Sequence, residues 1–113
     1  MIPQSELFLY VFRTIFPSEV EAVILSHEGV QEVCVTSVPH PVDHERPVAV
    51  VVRKPGAAVS AQEIKDLVTS EVSVQLLGGV LFVAELPATS TGKLARADVT
   101  QLARHAHTHA QLQ

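Results

Sequence analysis

The residues of this sequence that could do chemistry are concentrated in one polar loop, residues 85–96. Lys93 follows Gly92 there, and Thr89 and Thr91 lie just before the glycine. Small hydroxyl side chains compete for backbone hydrogen bonds, and glycine loses much conformational entropy when it is fixed, so a helix or strand does not readily absorb this loop. We therefore predict that Lys93 lies on an exposed, mobile loop, from which its ammonium can reach a phosphate.

The spacing in this loop excludes one phosphate-binding motif, the P-loop. That motif needs a glycine five residues before Gly92, where Pro87 lies, and a Ser or Thr directly after the lysine, where Leu94 lies. A lone loop lysine is usually a solvated surface residue, so a role for Lys93 depends on the residues that surround it. By itself the loop predicts one mobile cation and not a complete nucleotide site.

Length and composition predict a single globular domain. The chain has 113 residues, of which 47% are hydrophobic and 18% are charged, and its net charge is -4. That charge provides no basic surface for nucleic acid, and this length buries one core but does not build a cleft from two lobes. We therefore expect one domain, no nucleic-acid partner, and a partner lobe elsewhere.

The ends of the chain carry no recognised address signal. Residues 7–16 are apolar, but they lack a basic leader, are too short to span a bilayer and are interrupted by Arg13. Residues 111–113 are not the peroxisomal tripeptide. We therefore expect an intracellular protein without a membrane span, and its compartment stays open.

Hydrophobic periodicity and turn residues predict the order strand, helix, strand, strand, helix, strand, helix. The apolar run 80–84 is typical of a central strand that is covered on both faces. The pattern therefore predicts an α+β domain, with a small mixed β-sheet packed against about three helices. The predicted strands cover residues 7–16, 30–38, 47–54 and 80–84, and the predicted helices cover residues 18–28, 60–72 and a last segment that includes 99–106.

Two helix starts carry the capping-box pattern, in which a serine is followed three residues later by a glutamate. Ser18 with Glu21 marks the first helix, and Ser60 with Glu63 marks the second. We interpret Glu19 and Glu21 as charges that stabilise a helix N-terminus, and not as a catalytic pair.

Other candidate sites have simpler structural explanations. Cys34 lies in an apolar run, which predicts a buried, unreactive thiol. His105 and His109 share a helix face at the spacing of two metal ligands, but no third ligand is evident, so we predict a solvated helix end and no metal site. A proline-rich turn explains the histidines and the aspartate of residues 40–44.

Several segments match a known family when they are taken together. They are residues 17–21, 33–41, 46–51, 78–83 and the loop around Lys93. In this combination the sequence resembles the C-terminal domain of the adenylate-forming superfamily, which includes acyl-CoA synthetases, 4-coumarate-CoA ligases and firefly luciferase. The resemblance covers nearly the whole chain, and residues 78–83 are most similar to the luciferase and coumarate-ligase branch.

The resemblance implies a small lid domain that closes over a large N-terminal lobe. In the family's reaction a carboxylic acid substrate attacks the α-phosphate of ATP to give an acyl-adenylate, with ATP and Mg2+ held mainly by the large lobe. Lys93 matches the family's catalytic lysine, with Thr89 and Thr91 in its loop and Gly92 as a pivot. The isolated domain is therefore expected to be inactive.

The resemblance is incomplete ahead of the first helix. Where the family usually carries lysines and a glycine, in a turn that forms the CoA tunnel, this sequence has Val11, Phe12 and Arg13. Whether CoA is used therefore stays open, and so do light emission and the identity of the acid substrate.

We divide the chain at the point where the resemblance to the family becomes incomplete. We assign a divergent hinge-side segment to residues 1–16, an α+β body to 17–104 and a tail to 105–113. A second functional hypothesis is a stand-alone, non-catalytic interaction module derived from such a lid, which would contact proteins through the aromatic segment 8–12.

Overall fold

A computed structural model describes residues 17–40, 44–72 and 77–113 of the chain. Within these ranges the chain forms three helices and three strands, which confirms the predicted α+β class. The predicted strand over residues 7–16 lies outside the described residues. Across those same ranges, no helix is long and apolar enough to cross a membrane. The elements are α1 (Pro17–Leu25), β1 (Val30–His40), β2 (His44–Arg53), α2 (Ala61–Val72), β3 (Gly79–Phe82) and α3 (Arg96–Thr108).

The described strands form one mixed sheet in the order β1-β2-β3. β1 and β2 are antiparallel, with Val35 opposite Ala49, and β2 and β3 are parallel, with Val80 also opposite Ala49. The central strand is therefore β2, and the prediction that residues 80–84 form the central strand is wrong. An apolar run indicates that both faces of a strand are covered, but it does not indicate how many neighbouring strands it pairs with in the sheet.

Helices cover both faces of the sheet. Val33 and Val35 of β1 pack in one core cluster with residues of α1 and α2, whereas Cys34 and Val38 pack in a second cluster with residues of α3. Successive residues of a strand point to opposite faces, so these alternating positions place α3 on the face opposite α1 and α2. The run 48–51 of β2 lies between the two layers and is fully buried.

The predicted capping boxes differ in outcome. At the start of α2, the Glu63 N–H donates to Ser60 Oγ at 3.1 Å, which confirms the serine cap. The Glu63 carboxylate contacts His27 Nε2 at 3.1 Å, so it does not complete the box. The first helix ends at Leu25, earlier than the predicted residue 28, and the Glu21 carboxylate contacts β1.

The last helix, α3, continues to Thr108, past the boundary that we placed after residue 104. It ends in a turn in which Ala110 has a φ of 55°, in the left-handed region. The Gln111 N–H donates to the Ala106 carbonyl at 2.7 Å, and the Ala110 N–H donates to the His107 carbonyl at 3.2 Å. These two bonds form a Schellman motif, which reverses the direction of the chain at the helix end.

After this turn the C-terminal residues return to the sheet. Leu112 packs in the α3-side core and lies against Gly79, where a Cβ would be only 3.0 Å from the Leu112 Cβ. The Gln113 N–H then donates to the Val80 carbonyl at 2.9 Å. The tail thereby covers part of the outer edge of β3.

Candidate functional site

The loop that carries Lys93 is a compact hairpin. The Thr89 N–H donates to the Lys93 carbonyl at 2.7 Å, and the Lys93 N–H donates to Thr89 Oγ1 at 3.2 Å. An antiparallel bridge pairs Ala88 with Leu94. Both backbone polar groups of Lys93 are therefore bonded to Thr89, and the loop has more internal structure than the sequence predicted.

A tight turn closes the hairpin and brings the predicted loop residues together. The Gly92 N–H donates to the Thr89 carbonyl at 2.9 Å, and the Thr89 and Thr91 hydroxyls lie 3.0 Å apart. Gly92 has a φ of 84°, and a Cβ at this position would meet nothing within 4 Å. The turn therefore requires glycine for its backbone conformation and not for space.

The side chain of Lys93 lies on the surface of the domain, as the sequence predicted. Of the ion pairs within the described ranges, one joins His27 to Glu63 and the other joins Arg96 to Glu21, so Lys93 takes part in neither. The hairpin thus presents the Lys93 ammonium group from a backbone that is hydrogen-bonded at Lys93 itself.

The base of the hairpin leads directly into α3. The Ala95 N–H donates to the Pro87 carbonyl at 3.0 Å, which closes the two arms, and the helix begins at Arg96. Ala95 is the N-cap residue, and no side chain caps this helix. Alanine is a poor N-cap because it has no side-chain oxygen that can accept the unpaired N–H groups of the first turn.

Arg96 forms a two-pronged ion pair with Glu21 of α1. One terminal nitrogen donates to Glu21 Oε2 and the other donates to Glu21 Oε1, each at 3.2 Å. Glu21 Oε2 also accepts the Val35 N–H at 2.6 Å. The hydrogen bonds from Arg96 to this carboxylate are the main cause that raises the pKa of the guanidinium.

This ion pair is the main feature of the site that the sequence analysis missed. Glu21 was interpreted as a charge at a helix N-terminus, but its residue is only 8% exposed. One signal could have indicated a partner: Glu21 sits between Val20 and Ile24, which are fully buried positions of the same helix. A carboxylate beside a buried stripe must be paired, because burial of an unpaired charge is very costly.

A comparison with models of protein families identifies the family of this chain. The family model for the AMP-binding enzyme C-terminal domain matches residues 19–93, which include Glu21 and end at Lys93. The chain belongs to this family. The resemblance found from the sequence is thereby confirmed, and Arg96 lies just beyond the matched range.

Relatives of this AMP-binding C-terminal domain are much longer proteins. Luciferin 4-monooxygenase from Nipponoluciola cruciata is 44% identical over 92 residues, which cover 80% of this chain and 17% of that protein. A 2-succinylbenzoate–CoA ligase from a Geobacillus species is 33% identical over 100 residues, which cover 88% of this chain and 20% of the ligase. The chain therefore spans about a fifth or less of the length of these relatives.

A solved structure supports the same assignment. The structure of ATP-bound MatB from Rhodopseudomonas palustris superposes with a TM-score of 0.73 and 28% sequence identity. The superposition covers 78% of this chain and 18% of MatB. The fold of this chain thus occurs as a small part of a larger protein.

Cys34 lies next to the ion pair between Arg96 and Glu21. The residue is buried, as predicted, and its Sγ lies 3.5 Å from a terminal nitrogen of Arg96. Burial raises the pKa of the Cys34 thiol above its ordinary value, and the nearby Arg96 charge only partly opposes this effect. The thiol is therefore kept protonated, which is the opposite of what a reactive cysteine requires.

The histidines at the end of α3 do not form a metal centre within the described ranges. The rings of His105 and His109 meet edge to face with centroids 4.2 Å apart, on the exposed side of α3. In the part of the chain that the structure describes, no group of three or more His, Cys, Asp or Glu residues could hold a metal ion. The side chains of residues 40–44 lie outside the described part.

A shallow apolar groove of about 310 Å³ runs beside the hairpin that carries Lys93. It lies between the hairpin and the end of α1, and Leu25 and Leu94 on its sides are 47% and 37% exposed. The surface next to Lys93 is therefore partly apolar. The groove is lined by Leu25, Gln31, Glu32, Val33, Leu86, Pro87, Ala88, Gly92 and Leu94.

Proposed function

We propose that this chain is the C-terminal lid domain of an ATP-dependent acyl-adenylate-forming enzyme, in which Lys93 supplies an ammonium group for adenylation of a carboxylic acid. One observation carries the proposal: Lys93 is exposed on a hydrogen-bonded hairpin, at the end of the range matched by the family model. Membership of the family gives the reaction class, and the hairpin gives the group that would act in it.

The chemistry explains why one well-placed ammonium is useful. In adenylation, a carboxylate oxygen forms a bond to the α-phosphorus of ATP, and the bond to the oxygen that bridges to the β-phosphate breaks, so that pyrophosphate leaves. The attacking carboxylate and the phosphate oxygens are both negative, and a preorganised cation offsets their repulsion as the bond forms. The two hydrogen bonds that hold the Lys93 backbone to Thr89 limit where that cation can be.

The proposal assigns the binding of ATP and Mg2+ mainly to a large N-terminal lobe. The described ranges offer no cluster of metal ligands, and the turn at Gly92 is not a P-loop. Since the chain spans about a fifth or less of its relatives, a partner lobe of the size found in those proteins would hold the nucleotide and the acid. The isolated domain is therefore expected to be inactive.

A domain exchange tests the proposal. This chain replaces the corresponding domain of the Geobacillus 2-succinylbenzoate–CoA ligase, and pyrophosphate release is measured with ATP, Mg2+ and 2-succinylbenzoate. Lys93→Ala should lower kcat by about 100-fold or more, as loss of a transition-state charge contact typically does. Lys54→Ala removes another exposed lysine, outside the hairpin, and should leave kcat unchanged. An unchanged rate for Lys93→Ala would show that the assigned role is wrong.

The same exchange separates the lid from a non-catalytic interaction module. The module hypothesis depends on the aromatic segment 8–12, which lies outside the described residues, so it stays a prediction. Pyrophosphate release that requires Lys93 would contradict a purely non-catalytic role. Light scattering that shows a monomer, together with a pull-down that retains no partner, would also count against the module.

A further inference from the structure

We infer that Glu21 and Arg96 are positioning residues for Lys93: their ion pair fixes the base of the hairpin to the domain, so that the ammonium projects in a defined direction. The catalytic consequence rests on the proposed function. The effect on the hairpin does not, because it concerns the order of the chain around Lys93 and is measurable without any substrate.

The connection between the two cations, Lys93 and Arg96, is short. Arg96 is the third residue after Lys93, and Leu94 and Ala95 between them are each paired with the opposite arm of the hairpin. A chain this short, with its backbone hydrogen-bonded on both sides, transmits a displacement of one residue to the other. Movement of Arg96 would therefore tilt the arm that carries Lys93.

Among the described residues, few contacts fix the first turn of α3. Ala95 provides no side-chain cap, and its contribution to the first turn is its backbone carbonyl, which accepts the Asp98 N–H at 3.0 Å. The first fully buried residue of the helix is Val99, one turn later. The ion pair with Glu21 ties the backbone between the hairpin arm and Val99 to the other layer of the domain.

The Glu21 carboxylate, to which Arg96 binds, is itself held in place. Glu21 is almost completely buried, and its Oε2 accepts the Val35 N–H at 2.6 Å, so the carboxylate is fixed to the backbone of β1. The guanidinium of Arg96 donates through both terminal nitrogens, which restricts its orientation as well as its distance. A lysine at this position could make only a point contact with the carboxylate.

The direct test measures backbone order in the 113-residue chain by ¹⁵N relaxation. Arg96→Ala and Glu21→Gln should each lower the order parameters of the Thr89 and Lys93 amides from about 0.85 to below about 0.6, the range of flexible backbone. Val50, which is fully buried in β2, should keep its value because the core stays folded. A general loss of structure would instead change the amides of the core as well.

Matched substitutions separate the ion pair from the loss of a charge. Arg104→Ala removes an exposed arginine from the same helix, and Glu19→Gln removes an exposed carboxylate from the same helix as Glu21. Neither should alter the order parameter of Lys93. Unchanged values at Thr89 and Lys93 in both Arg96→Ala and Glu21→Gln would overturn the inference, and so would equal changes in the two matched controls.

A kinetic test follows in the domain-exchanged ligase with ATP, Mg2+ and 2-succinylbenzoate. Arg96→Ala should lower kcat for pyrophosphate release by about 10-fold while KM for ATP changes less than about twofold, because misplacement of a catalytic group acts on the chemical step. Arg96→Lys should recover part of kcat, since it restores the charge without the second hydrogen bond. A parallel rise of KM with unchanged kcat would contradict a positioning role.

The outcomes distinguish this inference from the proposed function. If Lys93→Ala leaves pyrophosphate release unchanged, the proposed function fails, but the relaxation test still reports whether the ion pair orders the hairpin. If Lys93→Ala abolishes release while Arg96→Ala leaves both hairpin order and kcat unchanged, the proposed function survives and the inference is wrong.

Discussion

Arg96 reaches around the outer edge of β1 to bind Glu21, although α3 and α1 lie on opposite faces of the sheet. The Glu21 carboxylate simultaneously accepts the Val35 N–H of that edge. One buried carboxylate therefore joins α1 and β1, which are neighbours in the sequence, to Arg96 of α3, which lies 75 positions from Glu21. The hairpin with Lys93 is the segment that leads into this junction.

Loss of Arg96 should destabilise the domain measurably. Arg96→Ala leaves a carboxylate that is about 10% exposed with the Val35 N–H as its remaining bond, and removal of one partner from a buried hydrogen bond typically costs about 1–3 kcal/mol. The arginine side chain is 57% exposed, so the loss should stay below that for a fully buried pair. Urea denaturation gives the free energy of unfolding; Arg104→Ala should change it by less than about 0.5 kcal/mol.

Gly92 and Gly56 provide a matched pair for the hairpin turn. Both have a positive φ, 84° and 79°, and a Cβ at either position would meet nothing within 4 Å. Alanine should therefore cost about 1–2 kcal/mol of unfolding free energy at each site, from backbone conformation alone. Only Gly92→Ala should also reduce pyrophosphate release in the domain-exchanged ligase, because only that turn holds Lys93. Equal activity of the two variants would argue against a role for the turn.

The buried thiol of Cys34 should make stability fall at alkaline pH. Burial raises its pKa above the ordinary value of 9.0, so the unfolded chain loses this proton at a lower pH than the folded domain does. The contribution is fully present below pH 9.0 and is lost as pH rises above it, with a slope of at most about 1.4 kcal/mol per pH unit. The unfolding free energies of the wild type and Cys34→Ala, measured from pH 7 to pH 11, give the difference that isolates this group. A pH-independent difference would contradict the prediction.

Ala110→Gly should stabilise the domain. Ala110 has a φ of 55° in the Schellman turn after α3, where a Cβ is unfavourable and glycine is the usual residue. Relief of this strain should raise the free energy of unfolding by about 0.5–1 kcal/mol, partly offset by the greater freedom of glycine in the unfolded chain. Thermal denaturation measures the change. Ala97→Gly, in the first turn of the same helix, should lower stability instead.

Local signals in the sequence predicted the elements that local forces dominate. Ser60 caps α2 because a serine oxygen can accept the N–H three residues later, and this is visible in four consecutive residues. The valine-rich run within residues 47–54 correctly indicated the strand β2. The exposed position of Lys93 also followed from its neighbours, because a glycine and several hydroxyl residues favour a turn.

Features that depend on distant partners were not predictable in this way. Glu21 and Arg96 are separated by 75 positions, and nothing local specifies that one side chain will meet the other. The position of β3 at the sheet edge was missed for a related reason. The apolar residues of β3 indicated that helices cover both of its faces. Which strand pairs with β3 depends on the path of the whole chain, which these residues do not specify.

The two outer edges of the described sheet are each covered at one point by a group from outside the sheet. The Val35 N–H is bonded to the Glu21 carboxylate, and the Val80 carbonyl accepts the Gln113 N–H. A fourth strand from a neighbouring molecule would have to displace one of these partners before it could pair there. These contacts protect the described sheet against edge-to-edge aggregation, with the buried Glu21 carboxylate at one edge and Gln113 at the other.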